Sequence, residues 1–352
     1  QAATLEQVVR AALKEQMGLT SPASGASPPR SSASLSLISA AHAHPHNQRE
    51  DPANDGDGVP DPEVSAADLS DLIAFLTWLA PPPPGGPDTD PERVAAGQEL
   101  FGQIGCARCH VPELDTPFGP LPAYTDLLLH DMGDHLGADV EIGAARQTEF
   151  RTTPLLAVRL HVPYLHDSSA PAYEFTMYAH GGEAAASAAA YEALDGDGQL
   201  QIQQFLDSLG GWNPKGRFLA PDEAPVPDVG APGGPDRPLS PWELALWRQG
   251  REKFDRMTAP DFDSGLGTYF NADTCRGCHF QPVLGGAGPN DVNVLVFDGD
   301  REAELGTHWP LGTGTLPRGS ISRVPPWRLP DSATVVEPRN TPSILGLGLL
   351  DR

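Results

Sequence analysis

Two copies of the motif Cys-x-x-Cys-His constrain this 352-residue chain more than any other feature of its sequence. The first copy is Cys106–His110, with the sequence CARCH, and the second is Cys275–His279, with the sequence CRGCH. The two motifs contain all four cysteines of the chain, so no cysteine remains for a structural disulfide. The chain must therefore fold around two sites that each bring two thiols and an imidazole together.

The chemistry that suits this motif is covalent haem attachment. Two thiols three residues apart on a helical turn can reach the two vinyl groups on one edge of a haem, and the next residue is then held at the iron. Zinc needs four protein ligands, whereas each motif offers three. The sequence predicts two covalently bound haem c groups, with thioether residues and proximal ligands Cys106, Cys109, His110, Cys275, Cys278 and His279. Such attachment takes place outside the bacterial cytoplasm, so a periplasmic or extracellular location is predicted.

The sixth ligand of each iron decides what each haem can do. An iron with two protein ligands transfers electrons, whereas an iron with an open or displaceable sixth position can bind peroxide or oxygen. The remaining histidines are candidates, and so are the methionines Met17, Met132, Met177 and Met257. Sequence periodicity does not choose among them.

A repeated helix pattern indicates an internal duplication. Gly97–Phe101, ahead of the first motif, is echoed by Gly250–Phe254 ahead of the second. One helix is predicted over 241–257, and another from the capping box at Ser65–Asp68 to Trp78. A further helix is predicted over 2–17. Its apolar face comprises Leu5, Val8, Val9, Ala12 and Leu13. Little strand signal appears. The predicted fold class is mainly α, with two cytochrome c-like helical domains, long loops and one c-type haem in each domain.

Composition predicts four regions along the chain. Residues 1–86 are predicted to form helices and loops that pack on the haem domains, and 87–209 to form the first cytochrome c domain. A Pro/Gly-rich linker is predicted over 210–239, followed by the second cytochrome c domain over 240–352.

The net charge of −24, from 47 acidic and 23 basic side chains, argues against nucleic-acid binding. It suits a solvated surface, and it also suits electrostatic steering of a basic redox partner such as a small cytochrome or cupredoxin. No apolar run approaches the roughly 20 residues that span a bilayer, so no transmembrane segment is predicted.

An acidic turn early in the chain has the spacing of a calcium loop. It contains Asp55, Asp57 and Asp61, but it lacks the glutamate that completes an EF-hand. The alternative interpretation is an ordinary Asp/Gly turn.

Eight further segments surround the two motifs, namely Tyr124–Gly133, Phe150–Leu155, Pro163–Asp167, His180–Glu183, Gly265–Gly267, Phe270–Ala272, Gly285–Pro289 and Arg339–Ser343. Together they resemble the bacterial di-haem oxidoreductases, a family of peroxidase-like and thiol-oxidoreductase-like proteins. That family is related more distantly to the di-haem cytochrome c peroxidases and to the di-haem enzyme that matures methylamine dehydrogenase. The resemblance covers most of the chain.

The resemblance implies different roles for the two haems. His180 falls where relatives place the distal ligand of the electron-transfer haem, which implies a His110/His180 pair of low potential. The haem on Cys275 and Cys278 is then the reactive one, and His308 is a candidate displaceable ligand and catalytic residue. Trp309 and Trp327 are candidate electron-hopping residues. Di-haem peroxidases also bind calcium between their domains.

One feature departs from the family pattern. The Ile-Gly-Cys segment at Ile104 precedes the Gly-Gly segment at Gly285, whereas the family has the opposite order. We therefore expect a circularly permuted arrangement, with part of the family's connecting segment missing and the Pro-rich run at 210–239 joining the family's end to its beginning. The alternative interpretation of this order is a fragment of a tandem repeat.

Three functions are compatible with these features. The first is a peroxidase-like oxidoreductase that passes electrons from a bis-histidine haem to a reactive haem, which reduces peroxide or a related small-molecule oxidant. The second is a non-enzymatic electron-transfer cytochrome with both haems six-coordinate. The third is an enzyme that oxidises or matures a protein partner.

Overall fold

The fold is described from a computed structural model, which describes residues 4–17, 19–22, 62–82, 85–86, 88–116, 119–138, 145–210, 226–255, 274–281, 283–288, 294–299, 312–317 and 335–351. The predicted calcium ligands Asp55, Asp57 and Asp61 lie outside these residues, as do His308, Trp309 and Trp327.

The described part of the chain is mainly α-helical, as predicted. Its helices are α1 Leu5–Met17, α2 Ala66–Thr77, α3 Pro91–Gln103, α4 Tyr173–Ala179, α5 Ala185–Glu192, α6 Gly196–Asp207, α7 Pro241–Asp255 and α8 Leu347–Asp351. The strands are β1 Leu114–Thr116, β2 Gly119–Leu121, β3 Leu129–Asp131, β4 Glu149–Arg151, β5 Val294–Gly299, β6 Gly312–Pro317 and β7 Val335–Arg339.

Local signals explain where several helices begin. The Ser65 hydroxyl accepts a hydrogen bond from the Asp68 backbone N–H at 3.1 Å, which confirms the predicted start of α2. Asp90 caps α3 in the same way, and Pro91 follows at the first helical position, where its missing N–H costs nothing. Asp195 caps α6 by accepting from Gly198 N at 2.8 Å.

The first hydrophobic core forms where α3 crosses α6. The aromatic rings of Phe101 and Phe205 lie 5.2 Å apart in this core, and Tyr124 packs on both rings. Gly97 allows the two helices to touch, because a Cβ on it would lie 2.0 Å from the Gln201 carbonyl oxygen.

The second core repeats this arrangement where α7 crosses α2. The rings of Phe254 and Phe75 lie 5.2 Å apart, and the side chain of Trp247 is fully buried beside Phe75. A Cβ on Gly250 would lie 1.9 Å from the Asp71 carbonyl oxygen. Each helix that leads into a haem motif therefore crosses its partner at an equivalent glycine.

The partner helix has a different place in the sequence in each unit. In the first unit α6 follows the Cys-x-x-Cys-His motif, whereas in the second unit α2 precedes its motif by about two hundred residues. Helix α8 packs on α1 and α2, and the Asp351 carboxylate accepts a hydrogen bond from Leu5 N at 2.9 Å. The described beginning and end of the chain are thus adjacent in the second core.

Helix α1 covers this second core with a narrower face than predicted. Leu5, Val9 and Leu13 are buried at intervals of four residues, whereas Val8 is 41% exposed and Ala12 is also exposed. The (i, i+4) stripe is the one that faces α2, because one helical turn separates its members.

The described strands include a three-stranded antiparallel sheet in the order β6-β5-β7, which the sequence does not predict. Strand β5 is a short Val-Leu-Val-Phe run, and β6 is rich in glycine and threonine. Strands of this kind form through pairing between distant segments rather than through local propensity, so they carry little signal of their own.

The two units contact each other through Asn340. Its backbone N–H donates to the His166 carbonyl at 2.8 Å, and its side-chain Nδ2 donates to the Pro163 carbonyl at 2.7 Å. None of the described helices is both long and apolar enough to cross a bilayer.

Candidate haem sites

The first motif forms a tight turn at the end of α3. Gly105 adopts a φ of +94°, a conformation that favours glycine, and thereby turns the chain into the 3-10 segment Cys106–Arg108. The backbone N–H of His110 donates to the Cys106 carbonyl at 3.0 Å. This hydrogen bond places Cys106 and His110 one helical turn apart.

The second motif forms the same turn in the second unit. The Thr274 hydroxyl accepts from Gly277 N at 2.9 Å and caps the 3-10 segment Cys275–Gly277. His279 N donates to the Cys275 carbonyl at 3.0 Å, as in the first motif. The ring of His279 lies 6.3 Å from Phe254, and the ring of His110 lies 6.2 Å from Phe101.

Both motif histidines have one ring nitrogen bonded to a backbone carbonyl. His110 Nδ1 lies 3.0 Å from the Tyr124 oxygen, and His279 Nδ1 lies 3.2 Å from the Gly286 oxygen. Because a carbonyl only accepts, Nδ1 carries the hydrogen and Nε2 keeps its lone pair. This is the tautomer and orientation that an iron-binding histidine requires.

His180 shows the same arrangement at the end of α4. Its Nδ1 lies 2.6 Å from the Thr176 oxygen, so Nε2 again keeps its lone pair. Burial chiefly, and the proximity of His180 to a smaller extent, lower the pKa of His110 to about 4. Burial also lowers the pKa of His180 and of His279, so all three imidazoles are neutral at pH 7. His180 is thus near enough to His110 to affect its pKa.

Cys106 and Cys275 lie in surroundings that disfavour the thiolate form. Burial raises the pKa of Cys106 to about 11 and that of Cys275 to about 12, so both sulfur atoms are protonated at neutral pH. Zinc ligands and redox-active dithiols need an accessible thiolate. No disulfide joins any of the four cysteines, all of which lie in the described residues.

Beside Cys109 lies a charged group that the sequence did not single out as functional. His130 Nε2 lies 2.9 Å from Asp126 Oδ2, and His130 Nδ1 lies 3.0 Å from Glu183 Oε2. The Cys109 sulfur is 3.8 Å from His130 Nδ1. Asp126, His130 and Glu183 belong to segments that carry the family resemblance, but spacing alone did not show that they meet.

A methionine and a buried ion pair flank the second motif. The sulfur of the buried Met17 lies 4.0 Å from the Cys275 sulfur. Arg276, inside the motif, donates to the Asp255 carboxylate at 2.5 Å, and both side chains are largely buried. Among the other candidate ligands, Met177 packs on the first core together with Cys106, whereas Met257 lies outside the described residues.

The fold and the two sites define a class of mainly helical protein with two repeated units, each built around a Cys-x-x-Cys-His turn whose histidine presents Nε2. The family model described as "Di-haem oxidoreductase, putative peroxidase" matches residues 3–209, more than half of the chain. The chain belongs to this family, which confirms the resemblance that its motifs indicate. The match includes the first motif, while Cys275–His279 lies beyond it. No curated protein and no solved structure is significantly similar to the chain.

Proposed function

We propose that this protein is a c-type di-haem oxidoreductase that reduces peroxide or a related small oxidant with electrons from a small redox protein. Haem bound at the two motifs supplies one-electron storage and, where an iron has an exchangeable sixth position, the site of peroxide reduction. Reduction of one hydrogen peroxide to two waters consumes two electrons and two protons, which matches a site with two haems.

The observations that support the proposal concern the two predicted ligands of the first haem, His110 and His180. Both imidazoles are neutral, both present Nε2, and the proximity of His180 contributes to the low pKa of His110. Such a pair would close the first iron to small ligands and make it the entry point for electrons. In the second unit His279 would hold the iron, and His308 is the candidate displaceable residue where the oxidant would bind.

The remaining assignments follow from covalent attachment and charge. Covalent haem attachment supports a periplasmic or extracellular location. The net charge of −24 supports docking of a basic cytochrome or cupredoxin as electron donor. Calcium binding by Asp55, Asp57 and Asp61 stays a prediction, which metal analysis of the purified protein before and after chelation would test.

The test is spectroscopic. The oxidised and half-reduced protein should show one low-spin bis-histidine haem and one high-spin haem in its visible and paramagnetic resonance spectra, and the high-spin haem should bind cyanide. His180→Ala should abolish the low-spin signal, whereas His135→Ala, at an exposed histidine of the same unit, should preserve it. Two low-spin irons that bind neither cyanide nor peroxide would overturn the enzymatic proposal.

A second candidate function is electron transfer without catalysis, and the position of Met17 favours it. Its sulfur lies 4.0 Å from the Cys275 sulfur, so a thioether is present beside the second motif. If Met17 closes that iron, both haems are six-coordinate and the protein is a relay. Met17→Leu keeps the apolar volume but removes the sulfur. If the second haem is low-spin in the wild-type protein and becomes high-spin in Met17→Leu, Met17 is its sixth ligand and the protein is a relay.

A further inference from the structure

The imidazole of His130 is held between two carboxylates that come from different parts of the first unit. Asp126 Oδ2 lies 2.9 Å from Nε2, and Glu183 Oε2 lies 3.0 Å from Nδ1. An ionised carboxylate only accepts hydrogen bonds, so both ring nitrogens must donate and the ring is an imidazolium. The hydrogen bonds to Glu183 and Asp126 accordingly raise the pKa of His130.

The two carboxylates belong to the segments that position the two histidines of the first haem site. Asp126 follows Tyr124 by two residues, and the Tyr124 carbonyl orients His110. Glu183 follows His180 by three residues. One cation therefore connects the segment behind the proximal ligand with the segment behind the distal ligand.

The backbone segments that carry this contact are tightly packed against each other. Gly182 adopts a φ of +50°, and a Cβ on it would lie 2.1 Å from the Asp131 carbonyl oxygen. A Cβ on Gly133 would lie 3.0 Å from Gly182 N, and Glu183 Oε1 accepts from Asp131 N at 3.0 Å. The segment after His180 thus lies directly on the segment after His130, so the distal ligand cannot move far without separating them.

From this arrangement we infer that His130 is a positioning residue that holds His180 in place opposite His110 and places one positive charge beside the Cys109 edge of the first haem. The inference rests on the proposed His110/His180 ligation. Removal of the imidazolium would leave Asp126 and Glu183 facing each other, and like charges at that distance repel. The distal segment would then open, and the haem would experience two uncompensated negative charges.

A metal site at the same place is the alternative that the residue types suggest, because ligand atoms of Cys109, Asp126 and His130 lie within 4.8 Å of one another. A Cys109 sulfur in a thioether is not the thiolate that such a site would use. Both nitrogens of His130 also already face carboxylates. The geometry therefore favours an ion cluster over a metal centre.

The experiment compares three variants of the haem-loaded protein, with His135→Ala as the matched control. His130→Ala should increase cyanide binding at the first haem by roughly tenfold to a hundredfold, because the charge-assisted hydrogen bonds that keep His180 in place are lost. Glu183→Gln should also increase cyanide binding. His130→Arg should largely restore the wild-type low-spin spectrum, because a guanidinium retains the charge and can bond two carboxylates.

The midpoint potential of the first haem separates positioning from general disruption. Loss of the cation in His130→Ala should lower the potential, because the oxidised haem is the more positive form, whereas loss of the anion in Glu183→Gln should raise it. A purely structural defect would not shift the potentials in opposite directions. If His130→Ala fails to take up haem, Glu183→Gln decides the question alone.

The outcomes distinguish this inference from the proposed function. If the wild-type protein lacks a bis-histidine low-spin signal, the ligand assignment on which both rest is wrong. If that signal is present but cyanide binding and potential are unchanged in both His130→Ala and Glu183→Gln, only the inference about His130 is overturned. Stoichiometric metal that is lost in His130→Ala would establish the metal site instead.

Discussion

Gly250 and the carbonyl oxygen of Asp71 are in direct contact where α7 crosses α2, with 1.9 Å between that oxygen and the position of a Cβ on Gly250. In the first unit, a Cβ on Gly97 would likewise lie 2.0 Å from the Gln201 carbonyl oxygen. The Asp71 carboxylate also accepts a hydrogen bond from Lys253, one turn further along α7, at 3.0 Å. The helix crossing beneath each haem motif therefore depends on a single residue without a side chain.

Gly250→Ala and Gly97→Ala should each destabilise the protein by about 1–3 kcal/mol, because the methyl group forces two backbones apart. Gly102→Ala is the matched control, since it lies in α3 with open space around it. This control should be neutral or stabilising by up to about 1 kcal/mol, as alanine favours helix. Urea unfolding measures the free energy of unfolding of all three variants. A Gly250→Ala protein as stable as the control would show that α7 and α2 are not in close contact at Gly250.

The buried ion pair beside the second motif should contribute far more than a surface pair. Asp255→Asn leaves Arg276 buried without its counter-charge, so we expect a loss of about 3–5 kcal/mol. Asp197 pairs with Arg93 at 2.6 Å in a solvent-exposed setting, and Asp197→Asn should cost less than about 1 kcal/mol. Equal effects of the two substitutions in denaturant unfolding would show that the Asp255 pair is not buried.

His161 should make the protein acid-sensitive. Burial lowers its pKa to about 4, and no hydrogen-bond partner of its Nε2 is present among the described residues. The unfolded chain, with a pKa near 6.5, binds the proton first, so the contribution to stability is complete above pH 6.5 and is lost as the pH falls toward 4. The loss amounts to roughly 3 kcal/mol.

The measurement for His161 compares unfolding free energies at pH 7 and pH 4.5. His161→Gln cannot titrate, so its stability should fall less over this range than that of the wild-type protein. Parallel pH profiles for the two proteins would mean that His161 is accessible to solvent.

Asn340 should couple the two units. Its side chain donates to the Pro163 carbonyl at 2.7 Å and to the His161 carbonyl at 3.3 Å. Asn340→Leu removes both donors and leaves partly buried carbonyls without partners, at a cost of about 1–3 kcal/mol. Calorimetry should show a single transition in the wild-type protein and a broadened or split transition in the variant. An unchanged single transition in the variant would show that Asn340 does not couple the two units.

Features encoded within a few residues were predictable. Ser65 and Asp68 mark the start of α2 because a cap acts over one turn, and the helix ahead of each motif is visible in its apolar spacing. The strands β5, β6 and β7 were missed, because pairing of distant segments creates them. On α1, the apolar face predicted from the sequence was too wide, and only packing on α2 selected the stripe of Leu5, Val9 and Leu13.

The sequence by itself determined the chemistry available at each motif, because the covalent chain fixes how many residues separate Cys106, Cys109 and His110 in any fold. It also indicated the duplication and the family. Only the tertiary structure decided that α2, at the other end of the chain, closes the second unit, and that Asp126, His130 and Glu183 meet beside Cys109. Contacts of this kind join residues tens to hundreds of positions apart, and they depend on the path of the whole chain rather than on any local pattern.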